Sequence, residues 1–176
     1  MTDIRKRVEE DRGILKTIQT FVPGFRGYRL KEDLRDSDRM LRSQLAKLIG
    51  RQRRGLENCR AMVVQRFDSP QLEAIGSLIN RFKTVEGLVQ HAATGYSGIA
   101  ADVRVKENEL NRLYEYDTSL IDNISIISRS VDSLKMSLKA KDEAQSDEDI
   151  AAITDAIVEF EDKFDRRMRV ITNTEV

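Results

Sequence analysis

The stretch LNRLYEYDTSLIDNISIISRSVDSLKMSL, residues 110 to 138, decides the fold. Its apolar residues Leu110, Leu113, Leu120, Ile124, Ile127, Val131, Leu134 and Leu138 recur at spacings built from threes and fours. Asp117 alone interrupts the series, standing where an apolar residue is due. A seam of that length describes a long helix that packs along one face in coiled-coil fashion. We expect this helix over 99–140.

Working outward, the same period returns on both sides. Leu34, Leu41, Leu45, Leu48, Leu56, Cys59 and Val63 share one face of a second helix, expected over 30–67. Gly50 and Gly55 weaken its middle by up to ~1 kcal/mol each relative to Ala, so a kink or local break is expected there. Asp68, Ser69 and Pro70 end it and start the next, because Ser caps and Pro suits the first helical position. That third helix, over 70–94, carries Leu72, Ile75, Leu78, Ile79, Phe82, Val85, Leu88 and Val89. A last helix, over 146–171, has Ser146 as its expected cap and Ile150, Ile153, Ile157, Phe160, Phe164 and Met168 as its stripe. The polar run KAKDEAQ precedes it as a loop. A shorter first helix covers 1–20.

The expected fold is therefore all-α: a single-domain antiparallel bundle of about five helices over 1–176. Composition agrees, since 176 residues suffice for one core and 34% charged residues with 9 Gly and 2 Pro favour long amphipathic helices. No apolar run reaches the roughly 18 to 20 residues that span a bilayer, so no transmembrane segment is expected. The opening MTDIRKRVEEDR is too charged for a secretory signal. A lone Cys59 on an apolar stripe reads as a small buried hydrophobe and leaves no partner for an intrachain disulfide. We expect a cytoplasmic protein.

Charge is neutral overall but unevenly spread. Residues 1–66 hold 17 Lys+Arg against 9 Asp+Glu, a balance of +8, and the remainder holds 13 against 21, a balance of −8. The plainer reading is mutual neutralisation of basic and acidic helices; the sharper one is a basic surface for phosphate or nucleic acid.

Four features are candidates for function. The first is the connector FVPGFRGYRLKE, 21–32, between the first two helices. Pro23-Gly24 suits the centre of a type II turn, and Gly27 can supply a second positive φ. Phe21, Val22, Phe25 and Tyr28 are expected to insert into the bundle, leaving Arg26 and Arg29 outside. If successive helices alternate in direction, this connector and Gly95-Tyr-Ser-Gly98 meet at one end. Arg26, Tyr28, Arg29 and Tyr96 are then the candidate docking residues for a partner or an anion. The plainer reading is an anchored corner. A hydrolytic Ser97–His91 pair is a weak alternative, because GYSG is not a nucleophile elbow and no oxyanion arrangement accompanies it.

The second feature is Asp117, expected to be buried and paired with Arg35, Arg39 or Arg42. A metal or ligand carboxylate is the weaker reading, since carboxylate-bridged di-metal bundles need Glu-x-x-His motifs and the chain has one His. The third is the basic cluster Arg51, Arg53, Arg54 and Arg60; the fourth is the basic run at 165–169. Neither has the interleaved aromatics of single-strand readers or a helix-turn-helix context.

No catalytic constellation and no cofactor motif stands out, so no catalytic residue, metal or cofactor is assigned. The expected function is non-enzymatic: protein–protein interaction, with self-association through a seam left exposed on the long helices. The alternatives are a nucleic-acid-associated regulator using the basic N-terminal half, and a small-ligand binder or enzyme at the Gly-Tyr loop end.

Overall fold

Among the described residues five helices follow one another: α1 (Ile4–Phe21), α2 (Lys31–Val64), α3 (Ser69–His91), α4 (Glu107–Ala140) and α5 (Glu143–Thr172). The computed structural model describes residues 4–28, 31–64, 69–92 and 107–172, and among these there is no strand. The expected start of the fourth helix at 99 and the GYSG segment lie outside the described residues.

The helices pack as two long antiparallel hairpins laid side by side. α2 packs most extensively on α3, and α4 on α5; α2 also meets α4, α3 meets α5, and α1 lies on α4. Side-chain pairs give the polarity. Arg42 with Ala92 and Arg53 with Glu86 run α2 against α3. Asp117 with Arg167 and Ser137 with Asp149 do the same for α4 and α5. Gln71 with Asp147 and Arg81 with Glu161 set α3 parallel to α5. Around the bundle the order is therefore α2–α3–α5–α4, with α2 and α5 on one diagonal.

The seam that decided the fold faces inward. Leu113, Leu120, Ile124, Ile127, Val131, Leu134 and Leu138 are all buried in a core that takes residues from every helix. Each such side chain contributes roughly 1.5–3 kcal/mol by leaving water, and the hydrophobic seam is thereby used inside the chain itself. Asn123 lies among these residues, fully buried, with no hydrogen-bond partner for either side-chain atom. An unsatisfied buried amide costs about 1–3 kcal/mol.

Gly50 and Gly55 do not break α2, which is continuous through both. Their role is close packing. A Cβ on Gly50 would meet Glu86 Oε1 at 2.6 Å, and one on Gly55 would meet Val131 Cγ1 at 2.9 Å. The missing side chains let α3 and α4 approach, and this tertiary gain overrides weak helix propensity.

The run KAKDEAQ is mostly helix rather than loop. α5 begins at Glu143, and Asp142 is its cap: the Gln145 amide donates to Asp142 Oδ1 at 3.0 Å. Ser146 is instead a buried residue inside the helix, its hydroxyl donating to the Asp142 carbonyl at 2.6 Å. α4 ends in a Schellman arrangement, with the Lys141 amide on the Leu138 carbonyl at 3.3 Å and the Asp142 amide on the Ser137 carbonyl at 3.0 Å. That places Lys141 at φ 61°, a left-handed position usually given to Gly. The substitution Lys141→Gly relieves this conformation, and we expect it to raise stability by about 0.5–1 kcal/mol, measured as a higher urea midpoint at unchanged slope.

Candidate functional site

The corner between α1 and α2 is built by two glycines. Phe25 N donates to the Val22 carbonyl at 3.1 Å and Gly24 has φ 86°, which makes Val22–Phe25 a type II turn with Pro23 leading. Gly27 repeats the positive φ at 90°, and a Cβ there would lie 2.7 Å from the Tyr114 hydroxyl. The turn sends Val22, Phe25 and Tyr28 into the core and leaves Phe21, the last residue of α1, 36% exposed. Phe21 thus departs from the expectation that all four insert. Gln19 Nε2 donates to the Phe25 carbonyl at 3.0 Å and Ser37 Oγ to the Gly27 carbonyl at 2.9 Å, so the corner is bonded to both helices it joins.

Tyr28 then enters a buried polar network. Its hydroxyl donates to Asp117 Oδ2 and accepts from Arg167 Nη2 at 3.0 Å, while its amide donates to the Tyr114 hydroxyl at 3.0 Å. Arg167, fully buried, also donates through Nε to Asp117 Oδ1 at 2.5 Å and through Nη1 to Asp38 Oδ1 at 2.6 Å. Arg42 Nε bonds the other oxygen of Asp38 at 2.9 Å, and its Nη1 reaches the Ala92 carbonyl at 2.9 Å. Two carboxylates and two guanidiniums balance to zero.

The guanidinium on Asp117 therefore comes from α5. The arginines of α2 expected in that place are disposed differently: Arg42 joins one step away through Asp38, and Arg35 and Arg39 are exposed. Position explains the difference, because Arg167 lies on the buried stripe of α5 and reaches across the diagonal.

Electrostatics fit a lock rather than a reagent. Burial pushes the Asp117 carboxyl above the usual carboxylate range, against the opposing pull of Arg167 and the Tyr28 hydroxyl. Burial, then the neighbouring Asp117 charge, raises Tyr28 well above its ordinary value, so it stays a hydrogen-bond donor. Burial acts to lower Arg167, but Asp117, Tyr28 and Asp38 outweigh it and hold the guanidinium above its ordinary value. Each charge is satisfied by another and sealed from solvent. Among the described residues, no group of three His, Cys, Asp or Glu is placed to hold a metal ion.

The surface offers something different. Arg39, Ser43 and Lys47 form an exposed ridge on α2 with an open groove on each side. One, of about 840 Å³, runs between this ridge and the corner, where Pro23, Gly24 and Arg26 face Met40. The other, of about 760 Å³, is closed by Gln90, His91 and Ala92 at the end of α3. Arg51 and Arg54 continue the cationic face toward the middle of α2.

The candidates from sequence are thus divided. Arg26 is exposed at the first groove. Tyr28 is 3% exposed with its hydroxyl committed internally, so it belongs to the lock and not to a docking surface. Arg29 and Tyr96 lie outside the described residues. Asp117 is buried in the lock. Arg53 is held by Glu86 at 2.9 Å and Glu57 at 2.5 Å, whereas Arg51, Arg54 and Arg60 are exposed. Within the basic run at 165–169, Arg167 is buried while Arg166 and Arg169 pair with Asp162 and Asp165 on α5. Reasoning from sequence missed Asp38 and Arg167, although both occupy stripe positions: Leu34–Asp38–Leu41 repeats the four-then-three spacing of Leu113–Asp117–Leu120, and Phe164–Arg167–Ile171 has the same steps in reverse order. Comparison with protein-family models, curated proteins and solved structures finds no match.

Arg167→Met leaves two carboxylates buried together, and we expect it to cost about 3–5 kcal/mol in denaturant unfolding. Adding Asp117→Asn removes one of those charges and recovers part of the loss, an interaction that a double-mutant cycle measures. Cys59 supplies a second test. It is fully buried, and burial pushes its thiol up to about 11. We expect the native chain to resist an aromatic disulfide reagent at mildly alkaline pH, reacting only as fast as it unfolds. A raised folded-state pKa also means the unfolded chain releases this proton first, so Cys59 lowers stability as pH climbs from its unfolded value toward about 11.

Proposed function

We propose that this chain is a non-enzymatic interaction protein that presents the solvent face of α2 to an anionic partner. One observation carries the reading. Arg39, Lys47, Arg51 and Arg54 are exposed on α2, and none of them is in an ion pair among the described residues. By contrast Lys163, Arg166 and Arg169 of α5 each pair with an acid one turn earlier, Glu159, Asp162 and Asp165, and Arg81 of α3 pairs with Glu161. Four unpaired cations on one helix face form a local positive field that attracts and orients an acidic surface. Flanking grooves with apolar groups from Val22, Pro23 and Met40 give a protein partner room for side chains. The free thiol of Cys59 suits a reducing, cytoplasmic setting.

Affinity purification from the native host tests this directly, using as baits the wild-type chain and a variant carrying Arg39→Glu, Lys47→Glu, Arg51→Glu and Arg54→Glu. Partners recovered by the wild type and lost by the variant are expected. Equal recovery by both baits overturns the reading.

A second reading, binding to a nucleic-acid backbone, is favoured by the same cations, since Arg39, Lys47 and Arg51 lie about 12 and 6 Å apart along the helix with the Ser43 hydroxyl in the gap between the first two. It requires that a fluorescent duplex bind at low salt and be released steeply as salt rises. A duplex that gives no anisotropy change at low salt removes it.

A further inference from the structure

The cationic face of α2 has a counterpart on the same molecule. α5 turns Glu148, Asp155, Glu159 and Asp162 outward along one stripe, about 21 Å from first to last at 1.5 Å per residue. The distance from Arg39 to Arg54 on α2 is about 22 Å by the same measure. Glu148 and Asp155 have no ion pair among the described residues. Glu159 and Asp162 are held only by Lys163 and Arg166 one turn on, in exposed pairs of the kind worth about 1 kcal/mol or less. Val158, 42% exposed, borders this stripe as an apolar residue.

The two faces cannot meet within one chain. α2 and α5 occupy opposite corners of the bundle, where the buried Arg167–Asp38 bond joins their inner sides and the charged faces point apart. We propose that the acidic stripe of α5 on one copy docks on the cationic ridge of α2 on another, so that the chain self-associates head to tail. The proposal takes the α2 face to be the contact surface, as above, and names its occupant as a second copy. Charge supports that choice: the +8 of residues 1–66 and the −8 of the remainder cancel, so copies attract through these faces with no net repulsion to overcome. Because the two faces differ and lie on opposite sides, the contact is heterologous. Each added copy leaves one face of each sign free, which makes the assembly open-ended unless its rotation closes a ring. Contacts between exposed charges are individually weak, so association belongs to low ionic strength and high protein concentration.

Sedimentation velocity over a micromolar concentration series tests this. In tens of millimolar salt the average mass is expected to rise with concentration above the 20.2 kDa of one chain, and to return to it in half-molar salt. Arg39→Glu with Lys47→Glu, and separately Glu148→Lys with Asp155→Lys, should each stay at one-chain mass in low salt. Mixing these two variants restores an acidic-to-basic match, and mass should rise again. All four positions are exposed, and circular dichroism melts verify that both variants fold. A wild-type chain of one-chain mass in low salt, or assembly that survives either reversal, overturns the proposal. A monomeric wild type whose host partners are still lost on α2 reversal overturns self-association alone and keeps α2 as a contact face. A monomeric wild type that binds duplex assigns that face to a polyanion instead.

Discussion

The buried guanidinium of Arg167 is the constraint on which the rest of the arrangement depends. It bonds Asp38 of α2, Asp117 of α4 and Tyr28 of the corner from its own place on α5. A charge so far from water is tolerated only where its donors are met by well-placed acceptors. That demand propagates outward. Tyr28 must arrive at one angle, which requires positive φ at Gly27 and leaves room there only for a hydrogen in front of Tyr114. Asp38 must present both oxygens, one to Arg167 and one to Arg42, whose other end bonds the Ala92 carbonyl just past the end of α3. Four of the five helices and one connector are thereby referred to a single side chain.

Such a network has more to do with which packing forms than with how strongly it holds. Aliphatic stripes at threes and fours interdigitate in several registers, and sliding one helix by a turn exchanges Leu for Ile at modest cost. A slide of that size would strand Arg167 and two carboxylates without partners, at several kcal/mol. Polar groups buried in a seam are best attested in this role of setting register. The bundle therefore combines aliphatic packing that is general with an ionic contact that is particular.

This division explains what was legible in the sequence. The helices were, because a period of threes and fours persists over 110–138 and returns in the other segments, and the Pro23-Gly24 turn was, because its chemistry is local. Asp117 stood out because it broke an otherwise apolar series. Asp38 and Arg167 broke theirs in the same way, yet in helices as charge-rich as these a stripe charge is hard to tell from a solvated one. Which arginine meets Asp117 is decided by which helix lies across the diagonal, and no single segment encodes that. Gly50 and Gly55 misled for a related reason: their propensity argues for a break, while their value lies in the approach of Glu86 and Val131 from other helices. At Lys141 the left-handed residue lacks the Gly that usually announces it, so the two-residue turn was hidden inside KAKDEAQ.

The same division bears on how the surface can act. With the hydrophobic seam of α4 enclosed, exposed apolar side chains are spread one or two to a helix: Phe21, Val64, Leu88, Ile126 and Met136, and Val158. Scattered residues of this kind do not make the contiguous patch that marks a hydrophobic interface. What the exterior does offer is charge held on rigid helices, positive on α2 and negative on α5. Contacts made that way are fast to form, selective by sign and sensitive to salt. The ionic groups at the centre are saturated, whereas Arg39, Lys47, Arg51 and Arg54 on α2 have no ion pair among the described residues and are open to solvent. The first set fixes how the helices lie against one another, and with that it fixes the spacing at which the second set stands on the surface.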